Sequence, residues 1–409
     1  FYMHYSTLKK RNLMNNIFHI ISLVLAFGLF SSSYSQDALT IESALQLAHT
    51  NSPGLKAATL FVEKEKALLK TNRSLDKTAF SYSLGQINSD MVDYSINVNQ
   101  SFKFPASGVR KQFLEAKVAA GESNLELAKS ELTRSVRIEF VAIINLQKQL
   151  ELFEEQEGLY KKMLDLSTKK LLVGESNILE KTTAKSQFQK VQIARKKIEM
   201  ELTTHKSNLS ILLYTEIQPL FIDAKTTLEL PLLDSSEISK NPMLSFYQKT
   251  IAIKEKQVTV NKKEFFPDFK AGYFNQQIEG TQGLQGIQFG IAIPLFNRYQ
   301  KAVVTASKIE IEIANQEMEN YRLTLYKMLQ QQLQNCSKYY LEIDYYETNG
   351  KALANQLIDL SNKAYNAGEI GYIEYVQSIK QAKQIKISYL QSLQKHQAET
   401  IEILYLTGK

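Results

Sequence analysis

The 409-residue sequence has one cysteine, no tryptophan, 7 prolines and 16 glycines. With Cys336 alone, no internal disulfide forms and no cysteine-rich metal site can be assembled. With so few helix breakers, helices are free to run long. The five histidines, His4, His19, His49, His205 and His396, are scattered. No Ser/His/Asp set, phosphate loop or metal-ligand spacing accompanies them, so no enzyme, cofactor or bound metal is expected. Beyond the N-terminal region, no stretch approaches 18 consecutive apolar residues, which excludes a membrane-spanning helix in the mature chain.

What is present begins with a leader pattern. The first residue is Phe, and translation is expected to start at Met3. Lys9, Lys10 and Arg11 precede a mainly apolar run from Ile17 to Phe30, and Ser33-Tyr34-Ser35 has small residues where cleavage requires them. Residues 1–35 therefore read as a secretory signal peptide, with Gln36 first in the mature chain. Removing the three basic residues leaves 46 Lys and Arg against 42 Asp and Glu, a net charge of +4. Such a balance carries no argument for nucleic acid as a partner.

The remainder is a tandem duplication. An offset of 189 pairs Pro53 with Pro242, Phe80 with Phe269 and Pro105 with Pro294. The repeats are 36–230 and 231–409, too long for solenoid units, so each reads as a half-molecule. Each half opens with a helix, expected at Thr40 to Leu75 and at Ser236 to Glu264, the first with Thr40 as N-cap and Glu42 in its first turn.

Two alternating segments follow in each half. In the first hairpin, 80–104, Phe80, Tyr82, Leu84, Tyr94, Ile96, Val98, Phe102 and Phe104 fall on even positions, while Ser95, Asn97, Asn99, Ser101 and Lys103 are polar. In the second, 269–294, Ile287, Phe289, Ile291 and Ile293 alternate with Gln288, Gly290 and Ala292. A period of two over about eleven residues suits a tilted membrane strand, with Ser95, Asn97, Asn99, Lys103 and Gln288 on the lumen side. An ordinary half-buried soluble hairpin has the same period.

After Pro105 and Pro294 the chain turns helical. From Gly108 to Gly174 the only later internal glycines are Gly121 and Gly158, and as helix this stretch reaches on the order of 100 Å. The return carries Phe188, Val191, Ile198, Leu202, Leu209 and Leu212 at heptad-like spacing, with Arg195 and His205 between them. The reversals repeat one pattern, VGESNILE at 173–180 and AGEIGYIE at 367–374: glycine, glutamate, four residues, glutamate. Near Gly158, 219–231 and Asn349-Gly350 the pattern is too irregular to assign residue by residue.

Four membrane strands cannot close a barrel, because lipid tolerates no exposed sheet edge. The chain must oligomerise, and a trimer supplies 12 strands, within the range of outer-membrane barrels. The expected fold class is thus α+β and mainly α, with long antiparallel helices and two membrane strands per half. Three copies would form a 12-stranded β-barrel continued by an α-helical barrel.

The leader, LTIESALQLAHTNSPGLKAA (39–58), FFPDFKAGYF (265–274), IAIPLFNRYQKAVVTASKIEIEIANQE (291–317) and AYNAGEIGYIEYVQSIKQAK (364–383) together resemble the TolC-like outer-membrane efflux family. The resemblance implies a homotrimeric channel-tunnel seated in outer-membrane lipid and extending into the periplasm. It also implies a periplasmic adaptor and an inner-membrane pump as partners. Tyr365 and Gly368 match the family's last tip turn, Val173 and Gly174 the first, and Glu180 and Glu374 fall at the periplasmic entrance. Ile370 stands where some members have a locking Arg, and Gln377 where a second acidic ring occurs, so a salt-bridged closed entrance is not implied here.

In a trimer, Glu180 and Glu374 would form a ring of six carboxylates favouring cations. Glu175, Glu180, Glu369 and Glu374 also suit the positive ends of the returning helices. The segments QSFKFPASGVRKQF (100–113) and IPLFNRYQKAVVTASKIEIEIA resemble members that serve heavy-metal pumps of the resistance-nodulation-division type. Drug-efflux and type I protein-secretion systems use the same conduit and remain alternatives. The competing class is a periplasmic adaptor, which carries one long hairpin where this chain carries two.

Overall fold

Pro53 and Pro242, the first pair matched by the duplication, each occupy the first turn of a helix capped by the preceding side chain. This emerges from a computed structural model that describes residues 39–73, 75–87, 90–102, 106–215 and 235–409. The elements below belong to one packed unit, Ile41–Ile217 with Asp223–Lys409. The other unit, Phe1–Thr40 with Gln218–Ile222, lies outside the described residues apart from Leu39 and Thr40. The signal-peptide reading and the 219–231 stretch therefore fall outside the described residues.

The first helix is not the single rod expected over 40–75. It divides into α1 (Ile41–Asn51) and α2 (Pro53–Leu69), because Pro53 has no N–H to continue α1 but suits the start of α2. Ser52 Oγ accepts the Leu55 N–H at 3.3 Å. Strands β1 (Ala79–Gly85) and β2 (Asp93–Phe102) follow. Next come α3 (Ala106–Leu172) and α4 (Ile178–Leu213).

The second half repeats the order. A 3₁₀ segment, Ser235–Lys240, leads to α5 (Pro242–Lys263), then β3 (Asp268–Ile278) and β4 (Thr281–Ala292). The expected start of α5 near Ser236 is thus six residues early. Helix α6 (Arg298–Tyr345) gives way to a π-helical turn, Tyr346–Gly350, before α7 (Lys351–Ala367) and α8 (Tyr372–Leu406). The irregularity expected at Asn349-Gly350 is therefore present. The one expected at Gly158 is not, since α3 runs through it unbroken.

The four strands form one antiparallel sheet in the order β1-β2-β3-β4, so the two hairpins join through β2 and β3. Glu279 and Gly280, with φ of 48° and 78°, make the two-residue turn between β3 and β4.

Helix α3 is the hub, packing on α1, α2, α4, α5 and α8. That is why residues 140–146, FVAIINL, are buried on every side. Its seam with α8 is polar as well as apolar. Arg134 meets Glu402 at 2.7 Å, Asn145 donates to Gln397 at 2.7 Å, and Lys383 meets Glu155 at 3.1 Å. On α4 the buried stripe is Ala184, Val191, Leu202, Leu209 and Leu213, so Leu213 takes the place expected of Leu212. His205 is paired with Glu139 of α3 at 2.7 Å, and Arg195 with Glu157 at 2.6 Å.

Each half also closes on itself by the same kind of bond. Asn51 donates to the Leu213 carbonyl at 3.2 Å, and Asn241 to the Leu406 carbonyl at 3.1 Å. Both carbonyls lie at the C-terminus of a returning helix, where the helix leaves them unpaired.

Candidate functional site

Alternation along the strands becomes two chemically distinct faces once the register is known. Phe80, Val98, Tyr273 and Ile287 stand side by side across all four strands. This face is largely open to solvent in the single chain: Phe80 is 68%, Ile287 72% and Phe289 83% exposed. Soluble monomers rarely present so continuous an apolar surface.

The opposite face carries Ser95, Asn97, Asn99 and Gln288. Asn97 donates to Ser95 Oγ at 3.0 Å, and Gln288 donates to Asn99 across the intervening strand. Asn99 and Gln288 are equivalent positions of the duplication, so the two halves touch through matching residues. Phe274 and Leu284 share this otherwise polar face. Lys103 lies outside the described residues.

The tips show why the glycine-glutamate pattern occurs twice. Gly174 and Gly368 end α3 and α7 with φ of 79° and 77°, a left-handed conformation that costs other residues roughly 1 kcal/mol. Glu175 N–H reaches the Lys170 carbonyl at 2.9 Å, and Glu369 N–H reaches the Ala364 carbonyl, also at 2.9 Å. These are the six-to-one bonds of a Schellman cap, the same in both halves.

The downstream glutamates open the returning helices. Asn177 caps α4 by accepting the Glu180 N–H at 3.0 Å, while the Glu180 carboxylate accepts from Ser176 Oγ. At the second tip the carboxylate of Glu374 accepts the Gly371 N–H at 3.0 Å. Glycine has no side chain to return that bond, so this is half of a capping box. Glu175, Glu369 and Glu374 are exposed and Glu180 is half-buried. Glu180 and Glu374 lie in the first turns of the returning helices, and of the two only Glu374 bonds a backbone N–H at the helix start.

Both tips lie together at one end of the bundle, where Tyr365, already singled out at the second tip, is joined by Tyr160, Tyr372 and Tyr375, which the sequence reading did not single out. Tyr160 and Met163 of α3, Ala184 and Val191 of α4, and Tyr372, Tyr375, Val376 and Ile379 of α8 form one cluster. The last four have spacings of three, four and seven, a helical stripe already present in the sequence. Tyr365 stacks on Tyr375 with centroids 4.6 Å apart and meets Tyr372 edge-on at 6.3 Å. The Lys170 ammonium lies 4.9 Å from the Tyr365 ring centroid, tying the first tip to the second. Ile370 packs against the same cluster, where it is an apolar wedge.

Burial pushes the Tyr372 phenol well above its ordinary pKa, with Tyr365, Tyr160 and Glu180 adding to the shift. Tyr375 is raised by burial and then by Tyr365. The cluster is therefore neutral in ordinary buffers. The Tyr375 hydroxyl donates to Asn362 at 2.6 Å, whereas the Tyr372 hydroxyl has no partner among the described residues. Tyr372→Phe is expected to stabilise the protein by about 1 kcal/mol by removing an unsatisfied buried hydroxyl. Tyr375→Phe loses a made bond and should lower Tm; calorimetry of the purified protein checks both signs.

With this geometry in hand, the chain aligns along nearly its whole length with solved outer-membrane channels. It matches CusC, a structure that concerns folding and transmembrane channel formation, at 18% identity and a TM-score of 0.76, over 93% of this chain and 96% of that one. The fold is that of the TolC-like outer-membrane channels. The outer-membrane channel OprN matches with a TM-score of 0.78 and 14% identity over 90% of this chain and 89% of its own. The Campylobacter jejuni outer-membrane channel CmeC matches with 0.76 and 13% over 92% and 90%. No family model matches the sequence, and no curated protein matches it. The likeness therefore lies in backbone architecture, at identities too low to carry residue roles across.

Proposed function

We propose that this chain is the outer-membrane conduit of a tripartite exporter. Three copies form one passive channel that receives cargo from a periplasmic adaptor and an inner-membrane pump. The observation that carries this reading is the sheet: four strands, one exposed apolar face, one polar face and two open edges at β1 and β4. At about 3.4 Å per residue, the ten-residue β2 is about 34 Å long, enough to cross a bilayer's hydrocarbon when tilted. Neither edge can remain unpaired in lipid, and joining β1 of one copy to β4 of the next closes a ring. Helix α3, at 67 residues, then continues the conduit for about 100 Å.

The full chain, extracted from membranes in detergent, is expected to run as a trimer and to give discrete conductance steps in a planar bilayer. A monodisperse monomer that needs no detergent and passes no current would overturn the reading.

Glu180 and Glu374, brought to one end by tip packing, supply six carboxylates around the periplasmic mouth of the trimer and favour cations there. The Glu180→Gln, Glu374→Gln double variant keeps an oxygen to accept from the Ser176 hydroxyl and the Gly371 N–H while removing the charges. Its cation-over-anion permeability ratio should fall severalfold with trimer yield unchanged. An unchanged ratio would leave these glutamates with their local hydrogen bonds alone.

Heavy-metal cations are the proposed cargo and a resistance-nodulation-division pump the proposed inner-membrane partner. Support comes from the resemblance of 100–113 and of the segment from Ile293 onward to channels of that branch. Coexpression with a metal pump and its adaptor in a channel-deficient strain should restore tolerance to the heavy-metal cation which that pump exports. Rescue of drug tolerance without metal tolerance would assign the multidrug alternative instead.

A further inference from the structure

At the foot of the sheet, where β3 and β4 meet the helices, lies a half-open cavity of about 510 Å³. Arg110 and Lys263 line it together with Glu264, Asp268 and Gln300. Among the described residues none of these four charged groups makes an ion pair; the Lys263 ammonium instead lies 4.5 Å from the Phe266 ring centroid. The side-chain oxygen of Gln300 is buried without a hydrogen-bond partner. Arg110 and Glu264 are exposed and so are open to a charged ligand, while the buried Gln300 oxygen is an acceptor that a ligand's N–H would satisfy.

The apolar side of the cavity indicates where that ligand comes from. Phe266 and Pro294 form part of its wall, and the chain continues from Pro294 into Leu295, Phe296 and Tyr299, which are 80%, 90% and 75% exposed. Aromatic residues gathered at one end of a membrane sheet mark the level of the lipid headgroups. All four strands join helices at this end, so in the proposed conduit it faces the periplasmic, phospholipid-bearing leaflet.

We propose that this cavity binds the headgroup of a phospholipid bearing phosphoethanolamine. The phosphate is taken by Arg110 and Lys263. The ammonium, with three N–H donors, is taken by Glu264, Asp268 and the orphaned Gln300 oxygen. The acyl chains run up the apolar face past Ile293. The inference rests on the membrane reading of the sheet and adds to it a lipid preference at a defined place.

The test uses the delipidated full-length protein in detergent, titrated with single phospholipids and read by native mass spectrometry. Phosphatidylethanolamine should be retained about tenfold better than phosphatidylcholine, which has the same charge but no N–H to donate. Phosphatidylglycerol, which has no ammonium, should bind at least as poorly. Gln300→Leu and Asp268→Asn should each narrow the ethanolamine-over-choline ratio, and Arg110→Ala should weaken both lipids together. Equal retention of all three lipids by trimers that still conduct would remove the site and leave the conduit standing. Selective retention by a protein that neither trimerises nor conducts would keep the site and remove the conduit. If soluble phosphoethanolamine competes at the lipid's own affinity, the ligand is a free headgroup and the lipid assignment fails.

Discussion

Val98→Asp is expected to remove most assembled trimer from the outer membrane, while Asn97→Asp, one residue away, leaves it in place. Val98 sits in the apolar row that crosses the sheet, between Phe80 and Tyr273. In the proposed barrel a carboxylate there would face hydrocarbon, at a cost of about 2 kcal/mol per copy near mid-bilayer, somewhat less than Lys or Arg would cost. In the proposed barrel three copies would insert together, so the penalty would be felt on the order of threefold. Asn97 lies on the opposite face beside Ser95, the face that would line water in the proposed channel. The measurement is the amount of trimer in outer-membrane fractions on semi-native gels. Equal loss in both variants would overturn the assignment of the two faces.

Asn241→Ala should be the most destabilising single change among the helix caps, by about 3 kcal/mol. Asn241 is fully buried. Its carbonyl oxygen accepts the N–H groups of Met243 at 3.0 Å and Leu244 at 3.1 Å, and the Tyr321 hydroxyl at 3.3 Å. Its amide donates to the Leu406 carbonyl. Alanine leaves all four of those groups buried or half-buried without this partner, and burial already pushes the Tyr321 phenol up to about 12. In the first half the same work is divided. Ser52 caps α2 and Asn51 holds the Leu213 carbonyl, so Ser52→Ala should cost only about 1 kcal/mol. Comparing the unfolding transitions of the two variants in detergent checks the ranking, and equal shifts would show that the buried network adds nothing beyond a cap.

The contrast between Ser52 and Asn241 shows how far the primary structure could be read. Pairing Pro53 with Pro242 revealed the duplication, but that both prolines open helices, and that α1 stops before Pro53, needed backbone geometry. The pattern continued a helix from Thr40 to Leu75 because the apolar spacing persists through Asn51-Ser52-Pro53. The chain breaks there because proline supplies no N–H. The tip turns were legible as glycine followed by glutamate, since a left-handed residue at a helix end strongly favours glycine. The tyrosine cluster joining the tips was not legible, because its members come from both hairpins and helical periodicity relates only residues of the same helix.

Local chemistry alone was enough to establish the duplicated plan, the alternating strands, the very long helices and their reversal points. The duplication shows as identities at a fixed offset, and the others depend on residues close in sequence, through period, helix length or the freedom of a glycine. The sheet order, the contact of Asn99 with Gln288, the seam between α3 and α8 and the closing of each half by Asn51 and Asn241 depended on packing. Those features join residues tens to hundreds of positions apart, and many partners satisfy the same polar or apolar requirement until the fold selects one.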